Sequence, residues 1–252
     1  MTLDIITSDS LAPLRHGFFG RQGGASSGIF AGLNCGYGSS DQHEAVAINR
    51  GRVAAALGLE AEQLVGVHQI HSADVVVVTD PETPRPSADA MVTNLPGVAL
   101  TVLTADCQSV LFADPEAGVI GAAHAGWKGA LAGVLGHTVD AMEALGAKRE
   151  RINAVIGPTI SQRAYEVGPE FFDAFIAEDP SFARFFTGGE GDRMMFDLPA
   201  LGLHLLRQAG IANAEWTRHC TFSDPDRFFS YRRTTKAKEA DYGRLISAIS
   251  LR

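Results

Sequence analysis

Hydrophobic positions along this chain fall into two spacings, and each predicts a different element. Uninterrupted apolar runs at Val75-Val76-Val77-Val78, Val98 to Leu103, Ser109 to Ala113, Val119 to Ala123, Ile152 to Ile156 and Leu245 to Leu251 read as strands. Runs as continuous as Ala99 to Leu103 belong in a sheet covered on both faces. Helical spacing appears instead in Leu131, Val134, Leu135, Thr138, Met142 and Leu145, with Gly146 as the stop. Further helices are predicted from about His43 to Leu57 with Asp41 as N-cap, from Pro169, and from Leu198 to Gln208 between an Asp197 cap and Gly210. Strands and helices alternate irregularly. The expectation is therefore an α/β (α+β) fold, a single-domain layered structure over residues 1–252 with a mixed β-sheet core flanked by helices.

One pair of runs brings chemistry together. Ser109 to Ala113 and Val119 to Ala123 flank Asp114-Pro115-Glu116-Ala117-Gly118, a turn-forming segment, and so predict a hairpin. With the turn centred between Pro115 and Glu116, Cys107 and His124 lie opposite each other. Opposed side chains share a face about 5 Å apart, close enough for a thiolate and an imidazole to share one ion. His71 enters from the segment leading into the valine run and supplies a third donor. Two imidazoles and one thiolate suit zinc, and three protein ligands leave a fourth position open, the pattern of a catalytic site. His68 is left out, since on a strand it points away from His71.

Composition narrows the function classes. The 252 residues are 46% hydrophobic and 20% charged, with no repeat or linker-like block. A net charge of −8 argues against a nucleic-acid coat. Cys35, Cys107 and Cys220 form no disulfide framework, and the first residues lack a signal-peptide pattern; a cytoplasmic protein that does not enter a membrane is expected. Cys35 and Cys220 are read as packing residues.

Several loops carry cations or aromatics. His16-Gly17-Phe18-Phe19-Gly20-Arg21-Gln22-Gly23-Gly24 reads as a strand entering a glycine-rich loop. Its Arg21 could face an anion, and its aromatics, Phe19 among them, a flat base. Asn49 and Arg50 are candidates for holding loops around the site. Gly126-Trp127-Lys128-Gly129 sits at a predicted helix N-terminus, a favourable place for an anion with Lys128 adding charge. Arg232, Arg233, Lys236 and Lys238 form one local basic cluster.

These motifs together resemble a known family. His16 to Phe19 with Arg21 and Gly23-Gly24, Asn49-Arg50, Gln69-Ile70-His71, Asp106-Cys107, His124 to Trp127, Tyr165-Glu166-Val167 and Ser230-Tyr231-Arg232-Arg233 are similar to the bacterial polyphenol-oxidase laccase-domain family, in order along almost the whole chain. The resemblance implies a layered α/β fold and zinc held by His71, Cys107 and His124. It also implies phosphorolysis of adenosine, inosine, guanosine and methylthioadenosine, and deamination of adenosine. Lys128 stands where the family more often has Arg, which keeps the charge and loses a bidentate fork.

The resulting expectation is a monomer acting on purine nucleosides and phosphate. Cys107 serves at the metal, Arg21 and Lys128 act on phosphate, and Phe19, Arg21, Lys128 and Arg232 contact substrate. Deamination would need a carboxylate proton shuttle, for which Asp106 is the adjacent candidate. Two alternatives stand beside this. In one, Cys107 is a nucleophile activated by His124 in a hydrolase editing peptidoglycan precursors. In the other, copper replaces zinc and oxidises polyphenols, because Cu²⁺ binds such donors more tightly. A four-copper oxidase needs about ten His ligands, largely in HxH pairs, whereas this chain has 8 His and no HxH.

Overall fold

The computed structural model describes residues 2–80, 82 and 86–251, so most of the proline-rich connection from Pro81 to Pro86 lies outside the described residues. Two mixed sheets face each other. The first has the order β1 (Ile5–Ile6), β2 (Arg15–Phe19), β14 (Leu245–Ser250), β6 (Ala99–Thr104) and β3 (Leu64–Val65). The second has the order β13 (Asn213–Trp216), β9 (Asn153–Ile156), β7 (Gln108–Asp114), β8 (Val119–Ala125), β5 (Ala90–Thr93) and β4 (Val75–Val77). A small sheet, β10 (Glu166–Val167), β12 (Met194–Phe196) and β11 (Phe186–Gly188), lies apart from them.

Side-chain alternation along the strands shows the layering. Leu111 and Ala113 of β7 join Phe18, Leu100, Val102 and Ile249 in the core between the two sheets. Val110 and Phe112, one residue out of phase, face the opposite way, onto α3 (Val134–Ala144) and α5 (Leu198–Gln208). On the outside of the first sheet, Ala99, Ile246 and Ala248 pack under α1 (His43–Ala56). Every residue of β7 and β8 is buried, as their unbroken apolar pattern requires for strands covered on both sides. The Ser247 hydroxyl donates to Ser109 Oγ at 2.8 Å and ties the two layers together. Among the described residues no helix is long and apolar enough to cross a membrane.

Local details depart from expectation in three places. Asp41 does not cap α1: the cap position is Gln42, and the Asp41 carboxylate instead accepts from Ser26 Oγ and Asn34 Nδ2. The helix expected across 131–145 is two helices, α2 (Trp127–Leu131) and α3, because Gly133 adopts φ 95°, a left-handed conformation that resets the axis. The anion position expected at a long helix is thus a single turn. The hairpin register is the third: Ser109, not Cys107, pairs with His124. Asp114 pairs with Val119, and its carboxylate accepts from the N–H groups of Glu116 and Ala117, which centres the turn one residue later than predicted.

α4 (Pro169–Glu178) begins at Pro169 as its sequence indicates and places Phe171 and Phe175 against Phe186 and Phe196 of the small sheet. The last helix, α6 (Tyr231–Ala237), is capped by Ser230, whose Oγ accepts from the N–H of Arg233.

Candidate metal centre

The two-residue register shift leaves the donor set intact. Because strand side chains alternate, moving the pairing by an even number keeps Cys107 on the face of His124. Cys107 sits just before β7, after Asp106 at φ 91°, and His124 is the penultimate residue of β8. His71 comes from the loop before β4, itself left-handed at φ 63°. Their donor atoms lie within 4.8 Å of one another, and among the described residues this is the only group of three or more His, Cys, Asp or Glu so placed. Cys107 Sγ is 3.9 Å from His71 Nε2, and the two imidazole rings meet edge to face with centroids 4.7 Å apart.

Asp89 holds this set in place. Its Oδ1 lies 2.7 Å from His124 Nδ1, leaving Nε2 of that ring for the cluster. Its Oδ2 accepts from the backbone N–H groups of Ile70 at 3.1 Å and Ser72 at 2.6 Å, on either side of His71. One fully buried carboxylate therefore orients one candidate donor and fixes the backbone of another, the kind of support that metal-binding His residues usually have. Sequence reasoning missed Asp89; a lone Asp at the start of a strand carries no distinguishing signal. Gly126 completes the cradle, since a Cβ there would lie 2.7 Å from His71 Cδ2 and 3.0 Å from Cys107 Sγ.

The buried groups of the cluster shift one another's protonation. Burial pushes the Cys107 thiol up, but the charge and hydrogen bond of His124, followed by those of His71, outweigh it and bring the thiol down to about 7. Burial likewise opposes the His124 imidazolium, yet the Cys107 thiolate and Asp89 hold it above the ordinary range. Burial also opposes the Asp89 carboxylate, and its bonds to His124, Ser72 and Ile70 lower it to about 2. In metal-free protein, the thiolate should persist as pH falls until about 7, against 9.0 for an ordinary thiol. Alkylation of Cys107 by iodoacetamide, followed by peptide mass spectrometry, should be half-maximal near that lower pH and suppressed by added zinc. A midpoint near an ordinary thiol's would show that His124 does not support the thiolate.

Two cavities meet at the triad. One, of about 590 Å³, is lined by Trp127, Tyr165, Phe171, Lys128 and Arg232. The other, of about 940 Å³, lies on the side of Arg50 and Arg244. His71, Ala105, Cys107 and Tyr231 line both, and Tyr231 is 53% exposed at their junction.

Lys128 and Arg232 thus reach a cavity at the triad. Lys128 is exposed, with its Nζ 5.5 Å from the Trp127 ring; Arg232 donates to Glu166 O at 2.7 Å and lies over Tyr165. Phe19 and Arg21 line neither cavity. Phe19 is 2% exposed in the core beneath α1, because the alternation of β2 turns it inward. Arg21 donates to the carbonyls of Ala31 and Pro225 and stacks 4.4 Å from Phe229, tying the N-terminal loop to the 225–229 segment. In the basic cluster, Arg233 is likewise occupied by the carbonyls of Thr221, Phe222 and Phe228. Asn49 does hold loops together: it is fully buried, accepts from Ala25 N, and donates to Ser26 Oγ and Asn34 O.

Known proteins are similar to this chain over 84% or more of its length. A purine nucleoside phosphorylase of Deinococcus radiodurans is 42% identical over 231 residues, 92% of this chain and 88% of that protein. The purine nucleoside phosphorylase YfiH of Escherichia coli is 37% identical over 213 residues, 84% of this chain and 86% of that protein. The crystal structure of Neisseria meningitidis protein NMB0706 superposes with a TM-score of 0.89 at 36% identity, covering 100% of this chain and 99% of that one. A family model described as multi-copper polyphenol oxidoreductase laccase matches residues 15–252, and the chain belongs to that family.

Proposed function

We propose that this chain is a zinc-dependent purine nucleoside phosphorylase acting on adenosine, inosine, guanosine or methylthioadenosine. One observation carries the reading: a His71–Cys107–His124 donor set, oriented by Asp89, opens into a cavity walled by Trp127, Tyr165 and Phe171. The names of the relatives support it. The donors fit zinc, because two imidazoles and a thiolate with room left by Gly126 match its usual ligands. When bound, zinc would supply a Lewis acid that polarises an oxygen in the site.

The protein's own residues account for the rest. The aromatic walls offer flat faces on which a purine stacks. A phosphate oxygen then bonds to the anomeric carbon of the ribose while the glycosidic C–N bond breaks. The electron pair of that bond leaves on the purine nitrogen, which takes up a proton from water. Holding the two reactants in one orientation is the larger part of such catalysis.

Deamination of adenosine in the same cavity is the finer part of the proposal. Asp106, its expected proton shuttle, has both carboxylate oxygens engaged by Thr221, Ser230 and the Arg232 N–H. That commitment favours phosphorolysis. The test is base release from inosine and adenosine by zinc-loaded protein, with and without phosphate, followed by chromatography. Release that saturates with phosphate is expected; no release from any of the four nucleosides at full metal loading overturns the reading.

A further inference from the structure

Asp89 braces two of the three donors of the triad, and none of its hydrogen bonds reaches the third. Cys107 stands outside β7, which begins at Gln108, and it follows a non-glycine residue in the left-handed region, Asp106 at φ 91°. A residue with a side chain keeps that conformation only where its surroundings over-determine it. The direction of the Cys107 thiol is therefore set by whatever fixes Asp106.

Asp106 is tied at both ends. Its carbonyl accepts from Ile160 N at 3.0 Å and Thr159 Oγ1 at 2.7 Å, which holds the plane of the 106–107 peptide. Its carboxylate accepts from Thr221 Oγ1 at 2.6 Å, Ser230 Oγ at 2.9 Å and the Arg232 N–H at 2.6 Å. Thr159 and Thr221 are 0% exposed and Ser230 1%, so water hardly competes for these hydroxyls. The Arg232 N–H is one of the orphan donors at the start of α6, so a carboxylate beside the triad caps a helix 126 residues away.

That helix forms part of the cavity wall. Tyr231 stands where the two cavities meet. Arg232 reaches into the aromatic cavity, donating to Glu166 O at 2.7 Å with its guanidinium 5.2 Å from the Tyr165 ring. Arg233 grips the carbonyls of Thr221, Phe222 and Phe228, so the segments that hold the Asp106 carboxylate are also joined to each other.

We propose that Asp106 is a positioning residue, which aims Cys107 at the metal and couples metal binding to the first turn of α6 on the cavity wall. This role rests on the zinc part of the proposed function and not on phosphorolysis. Coupling between two sites is reciprocal. If the α6 contacts hold Cys107 in place, metal on Cys107 tightens the bond from the Arg232 N–H.

Zinc affinity, measured by chelator competition in wild type, Asp106→Gly and Asp106→Asn with circular dichroism as the check on folding, tests the first half. Glycine keeps the positive φ accessible and removes only the carboxylate, whereas asparagine retains an acceptor and tolerates the left-handed region. Asp106→Gly should weaken zinc binding by about 10–100-fold, as loss of a group supporting a metal ligand does. Asp106→Asn should recover most of that loss. Amide hydrogen exchange followed by NMR tests the second half. In wild type, zinc should slow exchange of the Arg232 amide several-fold, while the Ala200 amide, capped by Asp197 beside its own helix, changes little. In Asp106→Gly the Arg232 amide should exchange fast with or without zinc. Wild-type zinc affinity in a folded Asp106→Gly, or a wild-type Arg232 amide indifferent to zinc, overturns the positioning role. The exchange measurement needs no variant, so it decides the matter even where the glycine variant does not fold. A wild type that takes up no zinc fails the zinc reading and this role with it; zinc bound with neither effect fails the positioning role alone.

Discussion

Replacing Cys107 with alanine is expected to empty the metal centre and to lower phosphate-dependent base release by roughly 10³-fold or more, the equivalent of several kcal/mol of charge stabilisation. Cys107 is the one anionic donor among the three, and its removal leaves two imidazoles, one of them exposed. Two neutral ligands hold a divalent cation far less tightly than two with a thiolate. Elemental analysis of purified protein should give about one zinc per chain in the wild type and little in the variant. Metal retained by the alanine variant would remove Cys107 from the ligand set. The same preparation tests the hydrolase alternative, because a zinc thiolate is quenched as a nucleophile. Stripped wild-type protein that still turned over substrate would overturn the zinc mechanism and point to a Cys107–His124 pair.

Asp106→Ala should destabilise the fold by about 3–5 kcal/mol, measured by chemical denaturation of the metal-free protein. Asp106 is 7% exposed and receives hydrogen bonds from Thr221 Oγ1 at 2.6 Å, Ser230 Oγ at 2.9 Å and Arg232 N at 2.6 Å. Burial pushes its carboxyl up against those bonds, so the charge alone stabilises little. The cost comes from leaving two buried hydroxyls and the part-buried Arg232 N–H without an acceptor, and from placing alanine at φ 91°. Asp106→Asn keeps an acceptor and should lose less. A loss below about 1 kcal/mol for the alanine variant would mean that water replaces the carboxylate at all three donors.

The elements with unbroken patterns were legible from sequence, and so was the meeting of His71, Cys107 and His124. The runs that became β6, β7, β8 and β14, and the capped helix α5, declare themselves through local spacing and turn residues. His71, Cys107 and His124 could be assembled because one hairpin carries two of them, and a register error of two residues does not change the face. What local pattern could not give was any feature set by distant neighbours. Phe19 and Arg21 look like a ligand-facing pair beside glycines, yet Phe19 is claimed by the core under α1 and Arg21 by carbonyls at 31 and 225. Asp41 has the composition of a cap and is used by Ser26 and Asn34 instead. Asp89 acquires its role only through partners at least seventeen residues away, His124, Ile70 and Ser72. The division of the core into two facing sheets is likewise invisible locally, since buried strands read the same in one sheet or two.

The position of β14 has a further consequence for how the molecule is made. Residues 245–250 lie between β2 and β6, so the first sheet has no continuous hydrogen-bonded centre until they arrive. During synthesis, β2 can pair with β1 early but waits for more than two hundred residues to be added before it meets β14, a long-range pairing of the kind that slows folding. Until then the inner faces of Phe18 and Leu100 have no strand between them, and the nascent chain exposes unpaired edges open to aggregation. The second sheet can form earlier, because β7, β8 and β5 pair with near neighbours in sequence. Translation should therefore deliver the His124 side of the metal centre in a folded context well before the wall that carries Arg244.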